Sequence, residues 1–454
     1  MRGWLALAVT LFTATGYAGQ PVHEYQLDNG LKLIVKEDHR APVMVSQVWY
    51  KVGSSYEHDG ITGLSHVLEH MMFKGTKAHP AGEFSKIISR NGGRENAFTS
   101  RDYTAYFQTM EASRLPVSFE LESDRMRNLA LPDDEFGKEV QVVMEERRMR
   151  TDDNPQSLTY EQFNATAYAS SPYRIPTIGW MGDLKSMQVE DLRDWYRKWY
   201  APDNAIVVVV GDVDPEEVHR LAEKYFGPLE PSHITPPRPR HEIAQYGPKE
   251  LVVKAPAKLP YLLMGYKAPV VLTDDTDWEP YALDVLSSVL DGGDSARLSS
   301  RLVRGSSVAA SASAGYDAFD RKETLFLLSG IPANGHSVAD LRKALAEQVR
   351  ELQEKPVSAA ELERVKAQLR ASKVFEQDSI FYQAMQIGML ETVGLSWRVA
   401  DQYLSRIEAV TADQVQAVAK KYLVDDRLTV AELSPQPIDP KHPPREGGVT
   451  GNVR

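Results

Sequence analysis

Apolar and polar residues alternate through residues 24–27 and again through 31–35, with Asp28, Asn29 and Gly30 between the two runs. A period of two broken by that turn chemistry predicts a β-hairpin. Residues 43–52 are rich in β-branched and aromatic side chains and predict a further strand, and the polar, glycine-bearing stretch 53–63 predicts a loop. The period then changes: Leu64, Val67, Leu68, Met71 and Met72 fall at helical spacing. Beyond them the pattern predicts a short helix over 82–89 stopped by Asn91, Gly92 and Gly93, and paired strands over 95–99 and 103–108. Helices are predicted over 113–128, 133–150, 156–168, 189–200 and 215–225, and the unbroken run Ile206 to Val210 predicts a buried strand.

Residues 231–248 hold five prolines and few apolar side chains, the composition of a linker. After it the order repeats, with a strand over 261–266 and an apolar helix over 278–290 ending at Gly292 and Gly293. Residues 198–208 line up with residues 420–430 at an offset of 222. The expected fold is α+β: two homologous domains, 22–230 and 249–436, each an antiparallel-rich sheet packed with helices, followed by a flexible tail over 437–454. A length of 454 residues accommodates this plan.

Charge and composition narrow the function classes. The net charge is −11 with no basic run, which disfavours nucleic-acid binding. There is no cysteine, so disulfides and thiolate metal ligands are excluded. Arg2, the apolar stretch 4–12 and a small-x-small site at Gly16-Tyr17-Ala18 read as a secretory signal over 1–18. That run is too short to span a bilayer and no later one approaches ~20 residues. The expectation is a periplasmic or secreted protein with no integral membrane segment once the signal is removed.

The candidate chemistry lies on the helix that begins after Gly63. His66 and His70 are four residues apart and Glu69 directly precedes the second, so all three share one region of the helix surface. Two neutral imidazoles and a carboxylate suit a zinc ion with an open coordination position and a general base beside it. This is the inverted H-x-x-E-H pattern. If Gly75 is matched to Gly293 in the repeat, His66, Glu69 and His70 fall on Asp284, Ser287 and Ser288, so only the first half carries the set. A third ligand must be a histidine or a carboxylate. The helix over 133–150 offers Glu135, Glu139, Glu145 and Glu146; Glu139 and Glu146 share a face, and Glu145 points about 100° away from Glu146. The same glutamates could instead pair with Arg147, Arg148 and Arg150 on an exposed helix.

The H-x-x-E-H pattern, followed 76 residues after His70 by Glu146 within Val142-Val143-Met144-Glu145-Glu146-Arg147-Arg148, resembles the M16 metallopeptidases. At two domains per chain it looks like the short subunits of the processing-peptidase branch. The resemblance implies that His66, His70 and Glu146 ligate Zn²⁺ and that Glu69 is the general base. It also implies that Glu139 supports the metal and catalysis, and that Asn96 and Ala97 lie on the edge strand along which substrate backbone is held, a use of β-augmentation. The implied substrate is an extended peptide or unfolded protein segment. One departure stands out. Many members carry an Arg and a Tyr in the second domain after a Ser-Ser-Arg-Leu-like stretch. Here the stretch is Ser295-Ala296-Arg297-Leu298, and the expected positions hold Val303 and Ala310, or Arg304 and Ser311 if shifted by one. Tyr316 is a displaced substitute at most. The implied remedy is a homologous partner subunit lacking the zinc motif, in a heterodimer, with a homodimer as the alternative. A different class of function, a non-catalytic peptide-binding or assembly subunit, would be expected to have lost the metal set.

Overall fold

The computed structural model describes residues 21–274 and 276–438. The segment read as a signal and nearly all of the expected tail lie outside them. Eleven strands form two sheets among the described residues: β1 Val22–Gln26, β2 Lys32–Glu37, β3 Val43–Tyr50, β4 Arg94–Thr99, β5 Thr104–Glu111, β6 Ala205–Gly211, β7 Lys249–Pro256, β8 Tyr261–Ala268, β9 Ala309–Gly315, β10 Thr324–Pro332 and β11 Leu428–Gln436. The first sheet has the order β1-β2-β6-β3-β5-β4 and the second β7-β11-β8-β10-β9. Removing β1 makes the two orders the same. In each, one parallel pair (β2 with β6, β7 with β11) is followed by antiparallel neighbours. The chain is an α+β protein built twice on one plan.

The repeat is visible in the last helix of each half. Helices Val189–Trp199 and Ala412–Tyr422 each lead through a short 3₁₀ turn into β6 and β11. Here the sequence offset of 222 needs correction by one residue. Leu192, Trp195, Tyr196 and Trp199 occupy the places of Val415, Val418, Ala419 and Tyr422, and all eight are buried. The offset of 222 pairs exposed Lys198 with Lys420, and buried Tyr200, the C-cap of its helix, with buried Tyr422, the last residue of its own. Single identities do not fix register; the pattern of the whole buried face does.

Each half lends a helix to the other. One face of the first sheet packs on its own helices, while Ile34, Val45, Trp49, Ile206, Val208 and Val210 on the opposite face are covered by Ala384 and Ile387 of helix Ile380–Val393. Reciprocally, Phe163 and Ala167 of helix Pro155–Ala167 pack on Leu263, Ala431 and Leu433 of the second sheet. This explains the unbroken Ile206–Val210 run: the strand is buried on both faces and has no solvent side on which to alternate. Two glycines permit the close approach. At Gly265 a Cβ would stand 2.6 Å from Phe163 Cζ, and at Gly388 it would fall inside the Trp49 indole. Gly388→Ala is therefore expected to destabilise the protein. Overpacking of this severity reaches the ~3 kcal/mol end of its usual range, against ~1 kcal/mol regained in helix propensity. A net loss of about 2 kcal/mol by denaturant unfolding is the expected result, and a more stable variant would refute the tight contact.

Residues 231–248 carry no helix or strand. They are nevertheless tied to both halves through Glu242, which accepts from the Ser171 backbone N–H at 2.8 Å and from Lys267 Nζ at 2.6 Å.

Candidate metal centre

The helix Leu64–Met71 starts at Gly63, whose φ of 89° is left-handed and which has no side chain with which to cap it. The cap comes from upstream. Glu57 accepts from the backbone N–H of Gly63 and of Ser65, each at 2.7 Å, and satisfies two donors that a helix start leaves open. Burial pushes this carboxyl up to about 7, opposed by those two hydrogen bonds. Gly63 also lies against the 178–179 backbone, where a Cβ would stand 2.7 Å from the Ile178 carbonyl oxygen.

His66 and His70 sit one turn apart with ring centroids 4.9 Å from each other. Their Nε2 atoms converge on one oxygen of Glu146, at 3.7 Å from His66 and 3.4 Å from His70. Glu146 comes from helix Asp133–Arg147. One potential ligand atom from each of the three lies within 4.8 Å of the others, the sole such group of three among the described residues. Glu145, one residue earlier, is exposed and pairs with Arg148 at 2.9 Å. The helix thus realises both expectations: Glu145 spends its charge on an arginine at the surface, while Glu146 turns inward.

The electrostatics suit a cation. Burial pulls His66 down to about 4, helped by the neighbouring His70, so its imidazole is neutral. Burial works against charge on Glu146 as well, but the hydrogen bond from His70 and the nearby His66 and Arg150 bring it to about 2. His66 Nδ1 is buried without a hydrogen-bond partner among the described residues. If Nδ1 carries the proton, the Nε2 lone pair faces a carboxylate oxygen, and both are acceptors. An electropositive centre between them removes that conflict, and two imidazole nitrogens with one carboxylate are a donor set zinc accepts. His70 is oriented from its other side, where Nδ1 donates to Glu139 at 3.2 Å. Its Nε2 faces Glu146 and without a metal shares a proton with it; burial opposes charge on His70, but the two carboxylates outweigh it and raise its pKa. When a metal binds, Nε2 gives up that proton and the Nδ1–Glu139 bond remains, as in a carboxylate–histidine–metal arrangement.

Glu69 is displaced from this convergence and takes a hydrogen bond from Thr99 Oγ1 at 2.5 Å. Burial raises its pKa, while Thr99 pulls the other way. Thr99 ends β4, one of the two edge strands of the first sheet. Asn96 is exposed on β4, Ala97 is buried, and the Ala97 N–H donates to the Asn96 side chain at 2.9 Å. The edge that the resemblance implied for substrate thus runs directly beside Glu69.

Residues 32–179 match the family described as Insulinase (Peptidase family M16), and residues 186–369 match Peptidase M16 inactive domain. The zinc protease PqqE of Helicobacter pylori is 35% identical over 421 residues, covering 91% of this chain and 93% of that one. The chain belongs to peptidase family M16. A crystal structure of a protease from Helicobacter pylori has a TM-score of 0.87 at 32% identity, covering 92% of this chain and 100% of that one. The periplasmic protease PqqL of Escherichia coli shares the fold at a TM-score of 0.75 and 19% identity, the match covering 93% of this chain but 49% of that one.

Four residues of this M16 chain stand at the site without having been singled out from sequence. Arg150 holds the second oxygen of Glu146 at 2.6 Å, Lys74 holds Glu139 at 2.5 Å, Thr99 holds Glu69 and Glu57 caps the helix. Arg150 had figured only as a surface partner. It sits in a π-helical turn, Arg148–Asp152, a local distortion that recurs at functional sites. Among the described residues, the second half has no counterpart to the convergence. There Asp284, matched to His66, accepts from the Tyr403 hydroxyl at 2.6 Å. Tyr316, the possible substitute for the missing tyrosine, donates to the Pro269 carbonyl oxygen at 2.5 Å and is thereby held within its own domain.

Proposed function

We propose that this M16 chain is a zinc-dependent endopeptidase acting on extended peptides or unfolded protein segments. The observation that carries the reading is the convergence of His66, His70 and Glu146 beside Glu69 and the free edge of β4. His66, His70 and Glu146 would hold the zinc, with Glu139 fixing the tautomer of His70 and Arg150 fixing the carboxylate. A zinc ion bound there supplies an electrophile for a peptide carbonyl oxygen and acidifies water toward neutrality. Glu69 takes the proton from the attacking water and passes it to the leaving amine, and Thr99 keeps its carboxylate aimed. Asn96 and Ala97 would hold the substrate main chain as an added strand.

The second half supplies no Arg–Tyr pair at the expected positions. The PqqL chain is about twice as long as the region matched here. Both observations support a working unit of two M16-like halves, with a homologous partner lacking the zinc set, or a second copy, as the other half. The leader-like N-terminus and a relative described as periplasmic support action outside the cytoplasm. Among the described residues, no helix is long and apolar enough to cross a membrane.

The test is made on the mature chain alone and with its homologous partner. One zinc per chain by metal analysis is expected, with hydrolysis of a peptide library that a chelator abolishes and zinc restores. A chain that binds zinc at this ratio but cleaves nothing in either form would favour a peptide-binding or assembly role.

A further inference from the structure

Arg321 lies in the β9–β10 connection of the second half, yet its side chain is engaged by the first. Its Nε donates to Asp102 Oδ1 at 2.8 Å and its Nη2 to Ser55 Oγ at 2.7 Å. Ser55 Oγ donates to the same Asp102 oxygen at 2.7 Å. The Tyr173 hydroxyl donates to the other oxygen of Asp102 and accepts from the backbone N–H groups of Arg321 and Lys322 at 3.1 and 3.2 Å. The guanidinium carbon stands 4.2 Å from the centre of the Tyr56 ring. A planar fork that bonds on one edge and stacks on its face is a use that lysine cannot reproduce.

The two segments gripped in this way both lead to the candidate metal centre. Ser54–Tyr56 is a 3₁₀ turn followed directly by Glu57, whose carboxylate caps the His66–His70 helix. Asp102 lies in the β4–β5 turn, three residues beyond Thr99, whose hydroxyl holds Glu69. The segments are also hooked together, with Ser54 N–H donating to the Ser100 carbonyl at 3.1 Å and Ser55 N–H to the Arg101 carbonyl at 2.8 Å. Asp102 and Ser55 are buried, so Arg321 has no competing water on that side.

We infer that Arg321 is a positioning residue through which the metal-less second half holds the cap of the metal helix and the support of Glu69 in register. The inactive domain thereby becomes part of the active site without touching it. The kinetic part of this inference rests on the peptidase reading above; the structural part does not.

The experiment compares hydrogen exchange of the full-length, metal-free chain with kcat and KM of the zinc-loaded chain. In Arg321→Ala, peptides spanning 57–70 are expected to exchange about tenfold faster while helix 338–354 keeps its wild-type rate. The value of kcat falls about tenfold and KM stays within about twofold. Arg321→Lys recovers part of both effects. Lys322→Ala, whose amine donates to the Arg240 carbonyl at 2.9 Å, leaves both unchanged. Wild-type exchange over 57–70 in Arg321→Ala, or an equal rise in both halves, overturns the inference. If Arg321→Ala does not fold, Arg321→Lys decides: faster exchange confined to 57–70 supports it and wild-type exchange there overturns it. A wild-type chain that cleaves no peptide defeats the peptidase reading, and the exchange data still decide the brace.

Discussion

Glu69→Gln is expected to retain its zinc and lose peptide hydrolysis, with kcat falling by about 10²–10⁴-fold, the range that a positioned general base contributes. The substitution changes little except proton affinity. Glutamine keeps the length of the side chain and an oxygen that can accept the Thr99 hydroxyl at its 2.5 Å position. Glu69 is not one of the three residues whose donor atoms converge, so metal content tests the fold of the site independently of turnover. KM is expected to hold within about threefold, because the amide leaves the β4 edge as it was. Unchanged turnover in a zinc-loaded variant would remove Glu69 from the mechanism. Loss of zinc together with activity would instead make it a ligand.

How legible this site was in the sequence depends on how far apart its parts lie. His66, Glu69 and His70 are fixed by one turn of one helix, so their spacing was readable without the fold. Glu146 was harder. Periodicity put Glu139 and Glu146 on one face but left four glutamates eligible, and only the resemblance to M16 chose among them. The structure brings Glu146 to the histidines because its helix crosses the first, a long-range contact that no local pattern encodes. Lys74 and Thr99 escaped notice for the same reason, and so did Glu57, which caps from six residues upstream instead of from the cap position; Arg150, four residues from Glu146, was legible as a local ion-pair partner but not as part of the site. Local rules search within one turn. The fold shows the same division. Most helices and strands of the first half followed from period, and the repeat followed from similarity at the domain ends, but no element between residues 291 and 419 was read from the sequence. The register of the repeat slipped by one because isolated identities, Lys198 with Lys420 and Tyr200 with Tyr422, match at 222 while the pattern of buried positions on the helix matches at 223. The exchange of covering helices, with Gly388 against Trp49, could not be read from sequence. It left one trace, the unbroken β-branched run of β6.

Glu146→Ala and Glu145→Ala together form the second decisive experiment, because adjacent glutamates of equal charge are predicted to behave in opposite ways. Glu146 presents one oxygen 3.7 and 3.4 Å from the two imidazole nitrogens, and its side chain is 16% exposed; Glu145 is 58% exposed and reaches only Arg148. Removing a residue that orients a ligand typically costs 10–100-fold in metal affinity, so removing a ligand itself is expected to weaken zinc binding by more than ~100-fold. Glu145→Ala gives up one exposed ion pair, worth ~1 kcal/mol or less, and is expected to leave zinc affinity and turnover at wild-type values. Metal-free Glu146→Ala should unfold close to the wild type, because of the partners it abandons the two imidazoles can go neutral and Arg150 is itself 53% exposed and can be solvated. The comparison therefore separates ligation from the general negative charge of the helix, to which both residues contribute alike. Equal zinc loss in the two variants would assign the effect to that charge and leave the third ligand to be found elsewhere. A selective loss in Glu146→Ala, in a chain that still folds, would tie the metal to the one carboxylate that both histidines face.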